Sequence, residues 1–120
     1  MSSRFAKNDP DLVLESRREG DAVVVSARGE VTVFSSPALR ELIRKTAEGR
    51  PPKVVIDLKE TTYIDSSGVA TLVEALQTVS RFKGKLFLAG MNQRVRGVFE
   101  IARLDSVFTV VGSVEEALKT

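Results

Sequence analysis

Apolar and polar positions change period along the chain. In residues 11–20, Leu12, Leu14 and Ser16 fall on one side of an extended segment, and Val13, Glu15 and Arg17 on the other. Gly20-Asp21 separates this run from Val23, Val24 and Val25, and the spacing predicts two short strands joined by a tight hairpin. From residue 36 the period becomes helical. Leu39, Leu42, Ile43 and Ala47 form one stripe, opposite Arg40, Glu41, Arg44 and Lys45. Ser36 is placed to cap this helix with Pro37 at its first position, Gly49 to stop it in a left-handed conformation, and Pro51-Pro52 to forbid continuation.

The continuous run KVVIDL, residues 53–58, suits a central parallel strand covered on both faces. KETTYID reads as a loop. A second helix follows over residues 66–81, with Val69, Leu72, Val73, Leu76 and Val79 inward and Thr71, Glu74, Thr78 and Arg81 outward, ended by Gly84. KLFLA is a strand. Asn92 caps a shorter helix that buries Val95, Val98, Phe99 and Ala102. VFTVV is a last strand, and SVEEAL a last helix with Ser113 and Glu116 at capping-box spacing. Alternation at this spacing predicts an α/β fold: a mixed, mostly parallel sheet of about five strands with about four helices, mainly packed on one face. The expected organisation is a flexible N-terminal leader over residues 1–10 and one domain over 11–120.

Composition narrows the chemistry. The 120 residues include 42% hydrophobic and 28% charged side chains, within reach of a single domain with its own core. There is no cysteine, so thiol chemistry and disulfides are excluded. There is no histidine, which removes the commonest general base and metal ligand. Net charge is only +2 and aromatic residues are 6%, which argues against a nucleic-acid surface. No apolar run approaches the ~20 residues of a membrane span, and residues 1–10 lack an apolar signal core. The expected setting is cytoplasmic, without direct membrane insertion.

The stretch TYIDSSGVATLVEAL places Asp65, Ser66, Ser67 and Gly68 between a strand and the second helix. That is the carboxyl end of a parallel strand, where open α/β sheets carry function. Asp65, Ser66 and Ser67 are all good caps, and a helix needs one. Gly68 weakens the first turn and suggests close approach of another group to that backbone. A nucleophilic serine lacks a histidine base, Lys59 being the nearest substitute in sequence, and GxSxG is absent. Neither GxxxxGK[ST] nor GxGxxG occurs. An aspartyl-phosphate site at Asp57 has only Glu60 and Asp65 as neighbouring acids. Two readings remain from the residues: a helix cap and nothing more, or a modified serine.

RGEVTVFSSPALRELI, VVIDLKETTYIDSSGVATLVEAL and LFLAGMNQRVRGVFEIARLDSVFTV together resemble the STAS-domain anti-sigma factor antagonist family, over about residues 12–118. The resemblance implies a non-enzymatic, cofactor-free and metal-free partner-switching protein. Its phosphoacceptor would be Ser66, with Ser67 the second choice. Its partners would be an anti-sigma factor serine kinase and an opposing serine phosphatase, and homodimerisation is left open. The implied docking surface comprises Thr32, Asp65, Ser66, Ser67, Gly68, Val69 and Thr71. Family members often carry an aspartate where Thr32 stands; threonine accepts a hydrogen bond but brings no charge. The alternative is a constitutive scaffolding subunit of a signalling complex or of a lipid or anion transport system. Arg94, Arg96 and Arg103 offer a small positive face or a solvated helix side.

Overall fold

The computed structural model describes residues 5–9 and 11–120, with side chains from Asp11 onward. The elements run β1 Phe5–Asp9, β2 Leu12–Glu19, β3 Ala22–Val31, α1 Ser36–Glu48, β4 Lys53–Asp57, β5 Thr61–Ile64, α2 Ser66–Arg81, β6 Lys85–Ala89, α3 Gln93–Ile101, β7 Thr109–Val111 and α4 Val114–Lys119. One sheet has the order β1-β2-β3-β4-β6-β7, with β5 beside β3 off that path. The first three strands are antiparallel neighbours. The pairs β3–β4, β3–β5, β4–β6 and β6–β7 are parallel.

Two strands lie where the pattern predicted none. The leader expected over residues 1–10 includes β1, whose backbone pairs with β2; residues 1–4 and 10 lie outside the described residues. The predicted loop KETTYID contains β5, too short and too polar to show a strand period. Its buried Thr61 donates from Oγ1 to Ala27 O at 2.7 Å, and Thr62 Oγ1 donates to Gly29 O at 3.2 Å. On the edge away from β2, strand β3 serves two neighbours in turn. Residues Ala22–Ser26 pair with β4, and Gly29, Glu30 and Val31 pair with β5 after a register shift between Gly29 and Glu30. Gly29 has φ +116, and a Cβ there would collide with Asp11 O, so only glycine fits this bend.

Side chains alternate across the sheet and make two cores. Leu12, Leu14, Val25, Ala27, Val31, Val54, Ile56, Leu86 and Leu88 face α1, α2 and α3, meeting Leu39, Leu42, Leu72, Val79, Val95 and Phe99. Val24, Val55, Phe87 and Ala89 face the other way and meet Ala117 of α4. Among the described residues three of four helices therefore share a face, and β4 lies buried between them and α4, as its unbroken apolar run predicts.

Helix ends differ in detail from the sequence expectations. Ser36 is the first helical residue of α1, and Ser35 precedes it without capping by its side chain. The Ser35 hydroxyl is engaged elsewhere, as described below. Gly49 is right-handed at φ −79, and Arg50 carries the positive φ. Lys83, not Gly84, is the left-handed residue after α2. Gly84 is needed for space: a Cβ there would lie 2.9 Å from Val79 Cγ1 and 3.0 Å from Pro51 O. Asn92 and Ser113 cap α3 and α4 as expected, while Ala102 is exposed at the end of α3.

Candidate functional site at the mouth of helix α2

The parallel pairing of Val31 with Ile64 brings the end of β3 beside the end of β5. Each strand then turns into a helix, α1 after residues 32–35 and α2 after Asp65 alone. Asp65 is the N-cap of α2. Its Oδ1 accepts from Ser67 N at 2.9 Å and Gly68 N at 3.1 Å, and its Oδ2 accepts from Val33 N at 3.0 Å. One carboxylate thus satisfies two free donors of the helix start and ties that start to the neighbouring loop.

Residues 32–36 have every backbone N–H paired. Thr32 N donates to Ser35 Oγ at 2.9 Å, Phe34 N to Thr32 Oγ1 at 3.2 Å, and Ser35 N and Ser36 N to Thr32 O at 3.1 and 2.7 Å. Ser35 Oγ donates to Glu30 O at 2.7 Å. Val33 N goes to Asp65, as above. Thr32, flagged in the sequence for lacking a carboxylate, therefore supplies a hydroxyl acceptor that closes its own turn. The buried Ser35 hydroxyl and the Ser36 amide hold the loop, and Val33 and Phe34 point outward, Phe34 87% exposed.

The structure separates the predicted docking residues into two groups. Ser66 is exposed and its hydroxyl makes no hydrogen bond to another described group; Ser67 is half-buried. Thr32 and Asp65 are half-buried beside them. Gly68, Val69 and Thr71 turn inward. Thr71 is 1% exposed, and its Oγ1 donates to Ser67 O at 3.0 Å, so it belongs to the α1–α2 seam rather than to the wet face predicted for it. The close approach suggested by Gly68 is made by the chain itself. A Cβ there would lie 2.5 Å from Ile64 Cγ1, 2.9 Å from Val31 Cγ1 and 3.0 Å from Val31 O.

Other candidates are not brought to Ser66. Lys59 lines a groove with Arg17, Asp57 and Ser113 on the α4 side of the sheet. Asp57 accepts from Ser26 Oγ and Lys59 N, Glu60 lies 4.0 Å from Arg28, and Asp65 is occupied as a cap. Among the described residues no three such ligands cluster to hold a metal. Arg94, Arg96 and Arg103 are exposed, and Arg96 lies 3.8 Å from Glu100. No helix of the described residues is long and apolar enough to cross a membrane. Sequence reasoning missed Val33, Phe34 and Tyr63, all exposed at this end of the sheet. The signal was the apolar pair between the strand end and Ser35-Ser36, outside both periods.

A sheet with three helices on one face, and a capped helix start presenting an exposed serine, makes a small α/β domain. The chain belongs to the STAS domain family, whose model matches residues 14–117. It is 28% identical over 105 residues to the anti-sigma-B factor antagonist of Bacillus subtilis, covering 88% of this chain and 95% of that protein. An anti-sigma factor antagonist from Mycobacterium paratuberculosis superposes with a TM-score of 0.79 at 21% identity, over 99% of this chain and 92% of that one. The anti-sigma factor antagonist SpoIIAA matches in its unphosphorylated form with a TM-score of 0.75 at 18% identity, over 98% and 94% of the two chains. The phosphorylated form of this Bacillus cell-fate determinant matches with a TM-score of 0.67, also at 18% identity, over 98% and 97%.

Proposed function

We propose that this chain is an anti-sigma factor antagonist that binds an anti-sigma factor kinase while Ser66 is unmodified and releases it once Ser66 carries phosphate. The observation that carries this reading is the contrast at the α2 start. The Asp65 carboxylate is held by the amides of Ser67 and Gly68, while the Ser66 side chain is exposed, its hydroxyl bonded to no other described group, and Ser67 is half-buried. A kinase reaches Ser66 without unfolding anything. The names of the relatives, and a neighbour solved in both phosphorylation states, support the same reading.

A phosphate adds about −1.5 to −2 charges and three acceptor oxygens. At the amino end of α2 the helix dipole favours that charge, and the adjacent Asp65 opposes it. The scaffold therefore changes little. The effect falls on the interface, where a doubly charged group taken out of water without a matching cation is costly. A serine phosphatase restores the binding form.

To test this, each ATP-binding anti-sigma factor encoded in the same genome is incubated with the chain and ATP, and intact mass is read. One phosphate, absent from Ser66→Ala, is expected. A phosphate that persists in Ser66→Ala moves the acceptor elsewhere, with Ser67 next in line. Tight binding with no phosphate, unaltered in Ser66→Asp, would favour a constitutive scaffold.

A further inference from the structure

We propose that the Val33–Phe34 tip of the β3–α1 loop is the apolar anchor of docking, seated in a neutral, apolar socket on the anti-sigma factor with Ser66 at its rim. This rests on the binding role proposed above and names the part of the surface that supplies the affinity. Phe34 is 87% exposed and Val33 56%. A ring held that far into water on a loose loop would be free to fold back onto the protein. Here the loop is fixed, since all five backbone N–H groups from Thr32 to Ser36 are bonded and two buried serines sit beneath it. A rigid loop that presents an aromatic ring loses little entropy on binding, and buried aromatic anchors dominate interface energies.

Charge defines the socket. Segments 29–37 and 61–70 contain no lysine or arginine. Their two carboxylates are Glu30 and Asp65. Val31 is buried in the helix-side core, so Glu30, one residue earlier, points to the other side of the sheet. Asp65 has both oxygens bonded within the chain. The nearest basic group on α1, Arg40, lies 3.4 Å from Glu74. Arg94 and Arg96 are exposed on α3, whose start is tied to β5 by Asn92 Nδ2 donating to Thr61 O at 2.9 Å, and Arg96 lies 3.8 Å from Glu100. The tip segments themselves carry no cation, so the face that meets Val33 and Phe34 is apolar. Phosphate on Ser66, one residue from the Asp65 carboxylate that accepts from Val33 N, then puts its charge where that face has no answer.

The anti-sigma factor that binds the unmodified chain in the mass assay is titrated with wild type, Phe34→Ala, Ser66→Asp and Ile101→Ala. Ile101 is the control: it is 88% exposed at the far end of α3. Phe34→Ala is expected to weaken binding by about 30-fold or more while melting like wild type. Ile101→Ala is expected to bind normally. Raising salt about tenfold is expected to leave wild-type affinity within about threefold. If Phe34→Ala binds like wild type while Ser66→Asp does not, the anchor is overturned and the switch stands. Loss of binding in Phe34→Ala but not in Ser66→Asp upholds the anchor and overturns the switch. Strong salt dependence, or equal losses in Phe34→Ala and Ile101→Ala, overturns the anchor. If the wild-type chain binds no anti-sigma factor, both proposals fall.

Discussion

Val33 and Asp65 lie 32 positions apart in sequence and are joined by a 3.0 Å hydrogen bond from the Val33 amide to Asp65 Oδ2. The other oxygen of the same carboxylate caps α2. Replacing Asp65 by Ala removes three hydrogen bonds and is expected to cost about 1–2 kcal/mol, lowering the melting temperature by about 5 °C. Asp65→Asn keeps one acceptor oxygen and should fall between the two. Thermal melts of the three proteins check the order.

Glycine substitutions are expected to act in opposite directions at two helical sites. Gly68→Ala improves helix propensity but drives a methyl into Ile64 and the Val31 backbone, with an expected net loss of about 1–3 kcal/mol. Gly97, inside α3, has nothing within 4 Å of its would-be Cβ, and Gly97→Ala should gain about 0.5–1 kcal/mol. Urea denaturation measures both.

Thr71→Val tests the inward placement of a residue whose spacing suggested solvent. With Oγ1 bonded only to Ser67 O inside its own helix, the substitution should shift stability by less than about 1 kcal/mol. Affinity for the anti-sigma factor should be unchanged, as calorimetry would show. A large affinity loss without a stability change would put Thr71 back on the docking surface.

Much of this architecture is legible in the sequence because burial imposes a period. The apolar stripe of α1, the unbroken run of β4 and the cap of α3 appear as read. Strand β5 was not legible because Thr61 and Thr62 bond their hydroxyls to the neighbouring strand instead of burying apolar side chains in alternation. Thr71 was misplaced because its position lies at the edge of the apolar stripe, and the packing of α1 against α2 widens the buried arc there. Ser66 was legible as a helix-start hydroxyl. Its exposure, against the half-burial of Ser67, is set by how the first turn of α2 packs on the rest of the fold, which no local pattern encodes.

Phosphate on Ser66 should leave the fold in place. Amide chemical shifts of the phosphorylated and unmodified chains are expected to differ mainly in residues 31–36 and 64–71, the two segments that Asp65 connects. Large shifts spread through β2, β6 and β7 would instead mean that the charge reorganises the domain.

The most direct measurement of the central claim compares two forms of one protein. Wild-type chain, unmodified or carrying a single enzymatically added phosphate at Ser66, is titrated into the same anti-sigma factor. The account predicts tight binding of the unmodified form and at least about 100-fold weaker binding of the phosphorylated form. Equal affinities for the two forms would contradict it.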